Sequence, residues 1–193
     1  MSHDHLFKES QVIDKIMLHP SDTVNIKHSI MKELNKKLMK WDDQVRGVFV
    51  SFQNVQILNG GKGRIMDDFA WIQYNVRFTV TYAQPKIDDR IYGTVKDIQL
   101  GHMTLSVYNI LTVIVNLESL DSKRFQIQNT ASAILSDIES NAEDDFDIED
   151  QKSKIEISDK QNGTTHKVDS IVEIQITKLS ISQGNVILFG QLV

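Results

Sequence analysis

The glycine-rich run from Asn59 to Arg64 is the segment whose residue types and spacing most resemble a ligand-binding motif. Three glycines fall within four positions, and Lys62 and Arg64 stand among them. Such glycines permit the left-handed backbone of a tight turn, and a turn of this kind with a lysine can cradle a phosphate. Here no Ser or Thr follows the lysine, and a strand pattern follows in place of the helix that would hold the phosphate. We therefore predict a basic hairpin tip, which is either a solvated turn or a docking point.

A run of acidic residues is the second feature that suggests a ligand. Eight acids and no base lie between Asp137 and Asp150, and carboxylates are the usual ligands of calcium. The run has no central glycine, and its acids do not alternate toward a closing glutamate as a calcium loop requires. We therefore predict no metal here, and we expect charge repulsion to leave the acidic insertion at about 134–166 disordered, with a short strand returning at Lys154–Ile157.

The other chemistry-bearing residues form no catalytic set. His19, His28, His102 and His166 are scattered, and no nucleophile elbow, zinc-binding helix or dinucleotide fingerprint is present. The chain has no cysteine, which excludes disulfides, thiolate zinc sites and a cysteine nucleophile. The sequence thus predicts a protein that is not an enzyme and that needs no cofactor or metal.

Length and charge narrow the class of protein further. The 193 residues suffice for one domain or two small ones, and the net charge of −5 argues against a nucleic-acid binder that is basic as a whole. There is no run of eighteen apolar residues and no apolar leader, so we expect a nuclear or cytosolic protein that does not cross a membrane.

Strand patterns dominate the first 85 residues. Every second residue from Ile72 to Tyr82 is apolar, which predicts one long half-buried strand that Pro85 terminates. Shorter strands are predicted at 12–18 and at 48–57, the second with a bend near its middle.

A helix is predicted between these two shorter strands. Its apolar residues recur at helical spacing, and they are Ile26, Ile30, Met31, Leu34 and Leu38. Ser21 or Asp22 is the expected N-cap. Lysines at 27, 32, 36, 37 and 40 cover much of the remaining surface, which is either solvated or binds an acidic or phosphate-bearing partner. We expect this lone helix to cover one face of a small antiparallel sheet.

A second set of strands follows Pro85. Alternation is present in 89–100, 103–107 and 111–115, and it returns after the acidic run in 172–177 and 185–193. Gly93 interrupts the first of these strands, which suggests a bulge or a tight bend of the kind that small barrels need. Five strands in this order predict a Greek-key barrel of the oligonucleotide-binding (OB) type. The predicted class is therefore α+β: a small antiparallel sheet with one helix, then a five-stranded OB-type barrel.

The order of these parts resembles the large stalk subunit of DNA-directed RNA polymerases, a family with archaeal and nuclear members. The segments that carry the resemblance are Ile16–Pro20, Gly47–Val50, Gly63–Ile65, Tyr82–Pro85 and Asp89–Val95. Within this family, the RNA polymerase I member is the most similar to this chain. The segments that show this similarity are Lys40–Val50, Val55–Leu58, Leu105–Asn109, Gly190–Val193 and the acidic insertion. The alternatives are a stalk subunit of polymerase II or III, and a free-standing RNA-binding protein of the barrel type.

The resemblance implies a non-catalytic subunit in two parts. Residues 1–85 would be the tip domain, a truncated RNP-like fold, and 86–193 the OB barrel. The loop that docks on the polymerase core would be Gly60, Gly61, Lys62, Gly63, Arg64 and Ile65. A small stalk subunit, an initiation factor and nascent RNA would be further partners, in the nucleus and, for polymerase I, the nucleolus. Cations and aromatic rings on the barrel that would contact RNA are Arg90, Tyr92, Lys96, His102 and Tyr108.

Overall fold

The chain divides into two compact units, Met1–Pro85 with Ile181–Val186, and Lys86–Ser180 with Ile187–Val193. The computed structural model describes residues 6–65, 70–99, 101–120, 124–129, 155–161 and 163–193. These residues form antiparallel sheets, a closed five-stranded barrel and a single α-helix. The predicted α+β class with an OB-type barrel is thus confirmed.

The first unit is built on a sheet with the long strand β5 inside it. Its strands are β1 (Phe7–Leu18), β2 (Trp41–Asp42), β3 (Gly47–Ile57), β4 (Arg64–Ile65) and β5 (Ile72–Ala83). Their order is β1-β5-β3-β2, and β4 also pairs with β5. Tyr74, Val76, Phe78 and Val80 are buried and the residues between them are half-buried, so the predicted alternation of β5 is confirmed.

Strand β1 begins at Phe7, five positions before the predicted start at Val12. Phe7 pairs with Ala83, and the pairing continues without a break to Leu18 opposite Ile72. The extra residues are too polar to predict a strand alone, but the length of β5 offers them a pairing partner. The predicted bend of β3 is confirmed by register shifts against β5 after Phe49 and after Gln53.

Helix α1 (Ile26–Asn35) covers one side of this sheet. Its N-cap is Asn25, whose side chain accepts a hydrogen bond from the His28 amide at 3.1 Å. The predicted caps Ser21 and Asp22 are wrong, because a 3-10 turn over Pro20–Asn25 comes before the helix and displaces its start. Ile30 and Leu34 are fully buried in the core of this unit, while Met31 is exposed rather than part of the buried stripe.

The second unit contains the barrel and a separate three-stranded sheet. Its strands are β6 (Arg90–Ile98), β7 (His102–Val107), β8 (Leu111–Asn116), β9 (Phe125–Asn129), β10 (Ile155–Asp159), β11 (Thr164–His166), β12 (Ile171–Ser182) and β13 (Asn185–Leu192). The barrel order is β12-β13-β8-β7-β6, and β12 pairs with β6 to close it. Strands β13 and β8 are parallel, so the last strand of the chain completes a Greek-key arrangement. The tip of the β12–β13 hairpin, 181–186, is grouped with the first unit.

Gly93 does not mark the bulge that its position predicted. It stays in regular register opposite Val172, and the register shift of β6 lies further on, between Val95 and Asp97. A Cβ at Gly93 would lie 3.0 Å from Ile174 Cδ1 and 3.2 Å from Leu105 Cβ. Gly93 therefore stands where barrel side chains approach the backbone closely, and a larger residue there would be tightly packed.

The prediction of disorder over 134–166 is wrong for its last part, whereas the short strand predicted at Lys154–Ile157 is confirmed over its described residues 155–157. Residues 155–159 and 164–166 form strands β10 and β11, and β10 also pairs with β9. Ile155 and Ile157 alternate with polar residues and are buried, which is the pattern of a half-buried strand. The acidic run itself, Asp137–Asp150, lies outside the described residues. No helix among the described residues is long and apolar enough to span a membrane.

Candidate functional site

The glycine-rich loop forms a tight turn at one end of the first sheet. Asn59, Gly60 and Gly61 have φ angles of 56°, 65° and 78°, so three successive residues adopt the left-handed backbone that glycine tolerates best. The Gly61 amide donates to the Leu58 carbonyl at 3.2 Å, and the Lys62 amide donates to the Asn59 carbonyl at 3.3 Å. The turn is thus held by its own backbone, and its residues are exposed.

Gly63 ties this loop to the core. A Cβ on Gly63 would lie 2.4 Å from Ile72 Cγ2 and 2.7 Å from Tyr74 Cζ. Directly after it, Arg64 pairs with Gln73 and Ile65 pairs with Ile72. The six residues of the predicted docking loop are therefore held together beside the start of β5, and Ile65 is 68% exposed.

Two exposed apolar residues that the sequence analysis did not select lie at the same end of the sheet. Met17 pairs with Gln73, the residue that also pairs with Arg64, and it is 38% exposed. Trp71 directly precedes β5 and is 43% exposed, and its ring meets the His19 ring edge-on with centroids 5.5 Å apart. We call Gly60–Ile65, Met17 and Trp71 the tip surface. Met17 is exposed because it alternates in β1 with the buried Ile16 and Leu18. Trp71 lies just outside the alternating run of β5.

The charges of the tip surface are available to a partner. Within the ranges that the structure describes, Lys62 and Arg64 form no ion pair, and both side chains are exposed. Exposed apolar side chains that lie together mark a candidate surface for binding another protein.

The five residues predicted to contact RNA fall into two groups on the barrel. Because Thr94 pairs with Ser106, Arg90 and Tyr92 lie toward the turn that contains Tyr108. Lys96 and His102 lie toward the opposite end of the same strand pair. An extended strand advances about 3.3 Å per residue, so four residues separate Tyr92 from Lys96 by about 13 Å.

Acidic groups accompany both clusters. Glu173 on β12 pairs with Tyr92, and the exposed Asp97 follows Lys96 directly. Strands β7 and β8 carry no lysine or arginine, although they form the face on which OB folds usually bind oligonucleotides. The described barrel surface therefore offers scattered cations and rings, and they do not form one continuous basic track.

A three-stranded sheet next to the barrel contains a buried ion pair. The Arg124 guanidinium contacts the Asp159 carboxylate at 3.0 Å and 3.3 Å, and it donates to the Val193 carbonyl at 3.0 Å. Asp159 is only 3% exposed. Burial, together with the charge of Arg124, lowers the pKa of the nearby His166 despite the opposing charge of Asp159. These groups fix the sheet against the last residue of the chain. Within the described ranges, no three metal-ligating side chains are grouped.

Comparison with known proteins identifies a relative of part of this chain. No family model matches the chain. A stretch of 93 residues, 48% of this chain, is 28% identical to part of DNA-directed RNA polymerase I subunit RPA43 from Danio rerio. The chain is similar to a subunit of RNA polymerase I. This similarity confirms the resemblance that the sequence motifs indicated, including the choice of the polymerase I member.

The similarity covers a limited part of the RNA polymerase I subunit. The matched stretch spans about a quarter of the zebrafish protein, 24% of its length. A shared fold does not by itself assign function, because function depends on the residues of individual sites. The tip surface and the barrel residues of this chain therefore have to be judged on their own geometry.

Proposed function

We propose that this chain is a non-catalytic subunit of nuclear DNA-directed RNA polymerase I and forms part of its stalk. The observation that carries the proposal is the similarity to the zebrafish polymerase I subunit. The order of the two units supports it, because a small helix-covered sheet followed by an OB-type barrel is the arrangement that the stalk resemblance implies.

In this proposal residues 1–85 are the tip domain, and the tip surface docks on the polymerase core. Ile65 and Trp71 supply apolar area that a core subunit buries, and Lys62 and Arg64 supply charge. Burying such exposed side chains favours association by roughly 25 cal/mol for each Å² of apolar surface removed from water. Gly60 and Gly61 let the loop turn sharply without side chains that would hinder the approach of a partner.

Residues 86–193 form the barrel domain, which is presented to the initiation factor and to the emerging RNA. A small stalk subunit completes the heterodimer, and the complex resides in the nucleolus. Contact with RNA through Arg90, Tyr92, Lys96, His102 and Tyr108 is weak and sensitive to salt, because the cations are few and acids lie beside them.

The experiment that tests this function is affinity purification of the tagged full-length chain from native extract, followed by mass spectrometry. We expect the two largest subunits of RNA polymerase I to be recovered in near-equal amounts with the chain. Recovery of the largest subunits of polymerase II or III would instead assign the chain to the stalk of that polymerase. Recovery of ribosomal or RNA-decay proteins without polymerase subunits would replace the proposal with a free-standing RNA-binding protein.

Filter binding of the full chain to single-stranded RNA tests the barrel separately. We expect retention at low salt that disappears near physiological salt, and a weaker signal for the double variant Tyr92→Ala, Tyr108→Ala. Lack of retention at low salt would remove RNA from the set of partners and leave the proposed place in the polymerase intact.

A further inference from the structure

Asn59 is followed directly by Gly60 at the exposed start of the glycine-rich loop. An asparagine side chain can be attacked by the backbone nitrogen of the next residue, because the chain holds the two groups side by side. Glycine hinders this attack least, since it has no Cβ next to the nitrogen. The pair therefore has the composition of a site at which asparagine loses its amide group.

Three exposed asparagines of the chain adopt the same left-handed backbone, which makes them a matched set. Asn54, Asn59 and Asn109 each have a φ angle of 56°. Asn54 precedes Val55 and Asn109 precedes Ile110, whose branched side chains crowd the backbone nitrogen. The residue that follows, and not the backbone angle, therefore distinguishes Asn59 from the other two.

The hydrogen bonds of the glycine-rich turn leave the two reacting groups unrestrained. The Gly61 amide donates to the Leu58 carbonyl, and the Lys62 amide donates to the Asn59 carbonyl. Within the ranges that the structure describes, neither the Gly60 amide nor the Asn59 side chain forms a hydrogen bond. A Cβ placed on Gly60 would meet no described atom within 4 Å. The Gly60 nitrogen is thus free to approach the Asn59 side chain.

The turn at Asn109 shows the contrast. There the nitrogen of the next residue is occupied, because the Ile110 amide donates to the Val107 carbonyl at 3.0 Å. Attack on the Asn109 side chain would first break this bond, whereas the Gly60 amide has no such bond in the described structure. The two turns therefore differ in the freedom of the nitrogen as well as in its crowding.

We propose that Asn59-Gly60 is a deamidation site, at which Asn59 converts to a mixture of aspartate and isoaspartate. The Gly60 nitrogen bonds to Asn59 Cγ, the Cγ–Nδ2 bond breaks, and Nδ2 leaves as ammonia with the proton of the Gly60 amide. The product is a cyclic imide. Water then adds to one of its two carbonyl carbons and returns a proton to the Gly60 nitrogen. Opening at Cγ gives aspartate, and opening at the main-chain carbonyl carbon gives isoaspartate.

Either product places a carboxylate in the run that carries Lys62 and Arg64, the two exposed cations of the loop. Isoaspartate also adds a methylene to the main chain before Gly60, which changes the path of the turn. Both changes weaken docking of the tip surface on a polymerase core, because they offset its positive charge and alter its shape. This consequence rests on the proposed function, whereas the deamidation itself does not.

The test is peptide mapping by mass spectrometry after the folded full-length chain has been incubated for several days at mildly alkaline pH. Alkaline pH speeds the reaction, because the Gly60 nitrogen attacks after losing its proton. We expect fragment ions to place a gain of about 1 Da on Asn59, from loss of ammonia and uptake of water. Asn54 and Asn109 should keep their mass. Fragmentation also separates Asn59 from Asn162, the other asparagine that precedes a glycine.

Two variants and a peptide sharpen this test. Gly60→Ala should slow the conversion several-fold, because a Cβ then crowds the attacking nitrogen, and Asn59→Gln should abolish it. A synthetic peptide with the sequence of residues 56–64 should convert at a rate of the same order as the folded chain. A folded chain that stays unmodified at Asn59 while the peptide converts would overturn the deamidation site, as would equal conversion of Asn54.

Affinity purification from native extract tests the consequence for docking. Asn59→Asp should recover less polymerase than Asn59→Gln, the neutral variant at the same position, and circular dichroism checks that both variants are folded. Equal recovery would overturn the effect on docking. If the wild-type chain recovers no polymerase, the proposed function fails and the effect on docking fails with it, while the mass gain at Asn59 still decides whether the site is modified.

Discussion

Gly63 lies so close to Tyr74 that a Cβ on the glycine would come within 2.7 Å of the tyrosine Cζ. Tyr74 is buried in the core of the first unit, with 4% of its surface exposed. The exposed glycine-rich loop is therefore positioned by direct contact between its backbone and a core ring. A side chain at Gly63 has to move either the loop or the ring.

Replacing Gly63 with alanine should impair docking. Because the new Cβ overlaps Ile72 and Tyr74, we expect the loop to shift and the free energy of unfolding to fall by about 1–3 kcal/mol. The fraction of tagged chain that co-purifies with polymerase subunits measures the effect. Gly101→Ala is the matched control, since a Cβ there meets no atom within 4 Å. Normal recovery of polymerase with Gly63→Ala would contradict the proposed role of the tip surface.

Gly190→Ala should destabilise the barrel while leaving the tip surface unchanged. A Cβ at Gly190 would lie 2.5 Å from Ile174 Cγ2 and 3.0 Å from the Gln175 carbonyl oxygen. The backbone oxygen cannot move aside as a flexible side chain can, so we expect a loss of about 3 kcal/mol in the free energy of unfolding. Urea denaturation measures the loss against Gly101→Ala. Equal stabilities would mean that β12 and β13 are not packed as closely as described.

Removing the guanidinium of Arg124 should leave a buried charge without its main partner. Asp159 is 3% exposed, and breaking a buried pair from one side costs about 3 kcal/mol or more. We expect Arg124→Met to lower the free energy of unfolding by about 3 kcal/mol and to speed amide hydrogen exchange in β10. Lys160→Met removes an equal charge from an exposed neighbouring site and should have little effect. Similar losses in the two variants would rule out a structural role for the pair.

Protonation of His166 should destabilise the fold at mildly acidic pH. Burial and the charge of Arg124 lower its pKa from the usual value of 6.5, outweighing Asp159. Below pH 6.5 the unfolded chain therefore binds a proton that the folded chain does not, and the free energy of unfolding falls as pH decreases toward the folded pKa. His166→Gln removes this contribution.

The pH effect is measured by urea denaturation at about pH 5.5 and about pH 7.5. The difference in unfolding free energy between the two pH values should be smaller in His166→Gln than in wild type. The exposed His28→Gln serves as the control variant and should keep the wild-type difference. An unchanged difference in His166→Gln would show that other groups cause the acid sensitivity.

The sequence by itself determined the long strand, the helix and the five barrel strands of this protein, together with their order. The alternation from Ile72 to Tyr82, the stripe of Ile30 and Leu34, and the barrel strands are all present where the patterns predicted them. Such patterns are local, because a strand or helix buries one face whatever element lies against it. The family resemblance could be identified for the same reason, since it rests on short segments in a fixed order.

Only the tertiary structure decided which of these elements pack against each other. It also decided at which glycine positions a side chain would overlap its neighbours. The parallel pairing of β13 with β8, the grouping of 181–186 with the first unit, and the contact of Arg124 with Asp159 across 35 positions all join distant parts of the chain. At Gly63 and Gly190 a Cβ would overlap side chains of other strands. Periodicity reports that a face is buried, but the identity of its neighbour depends on long-range packing, which no local pattern contains.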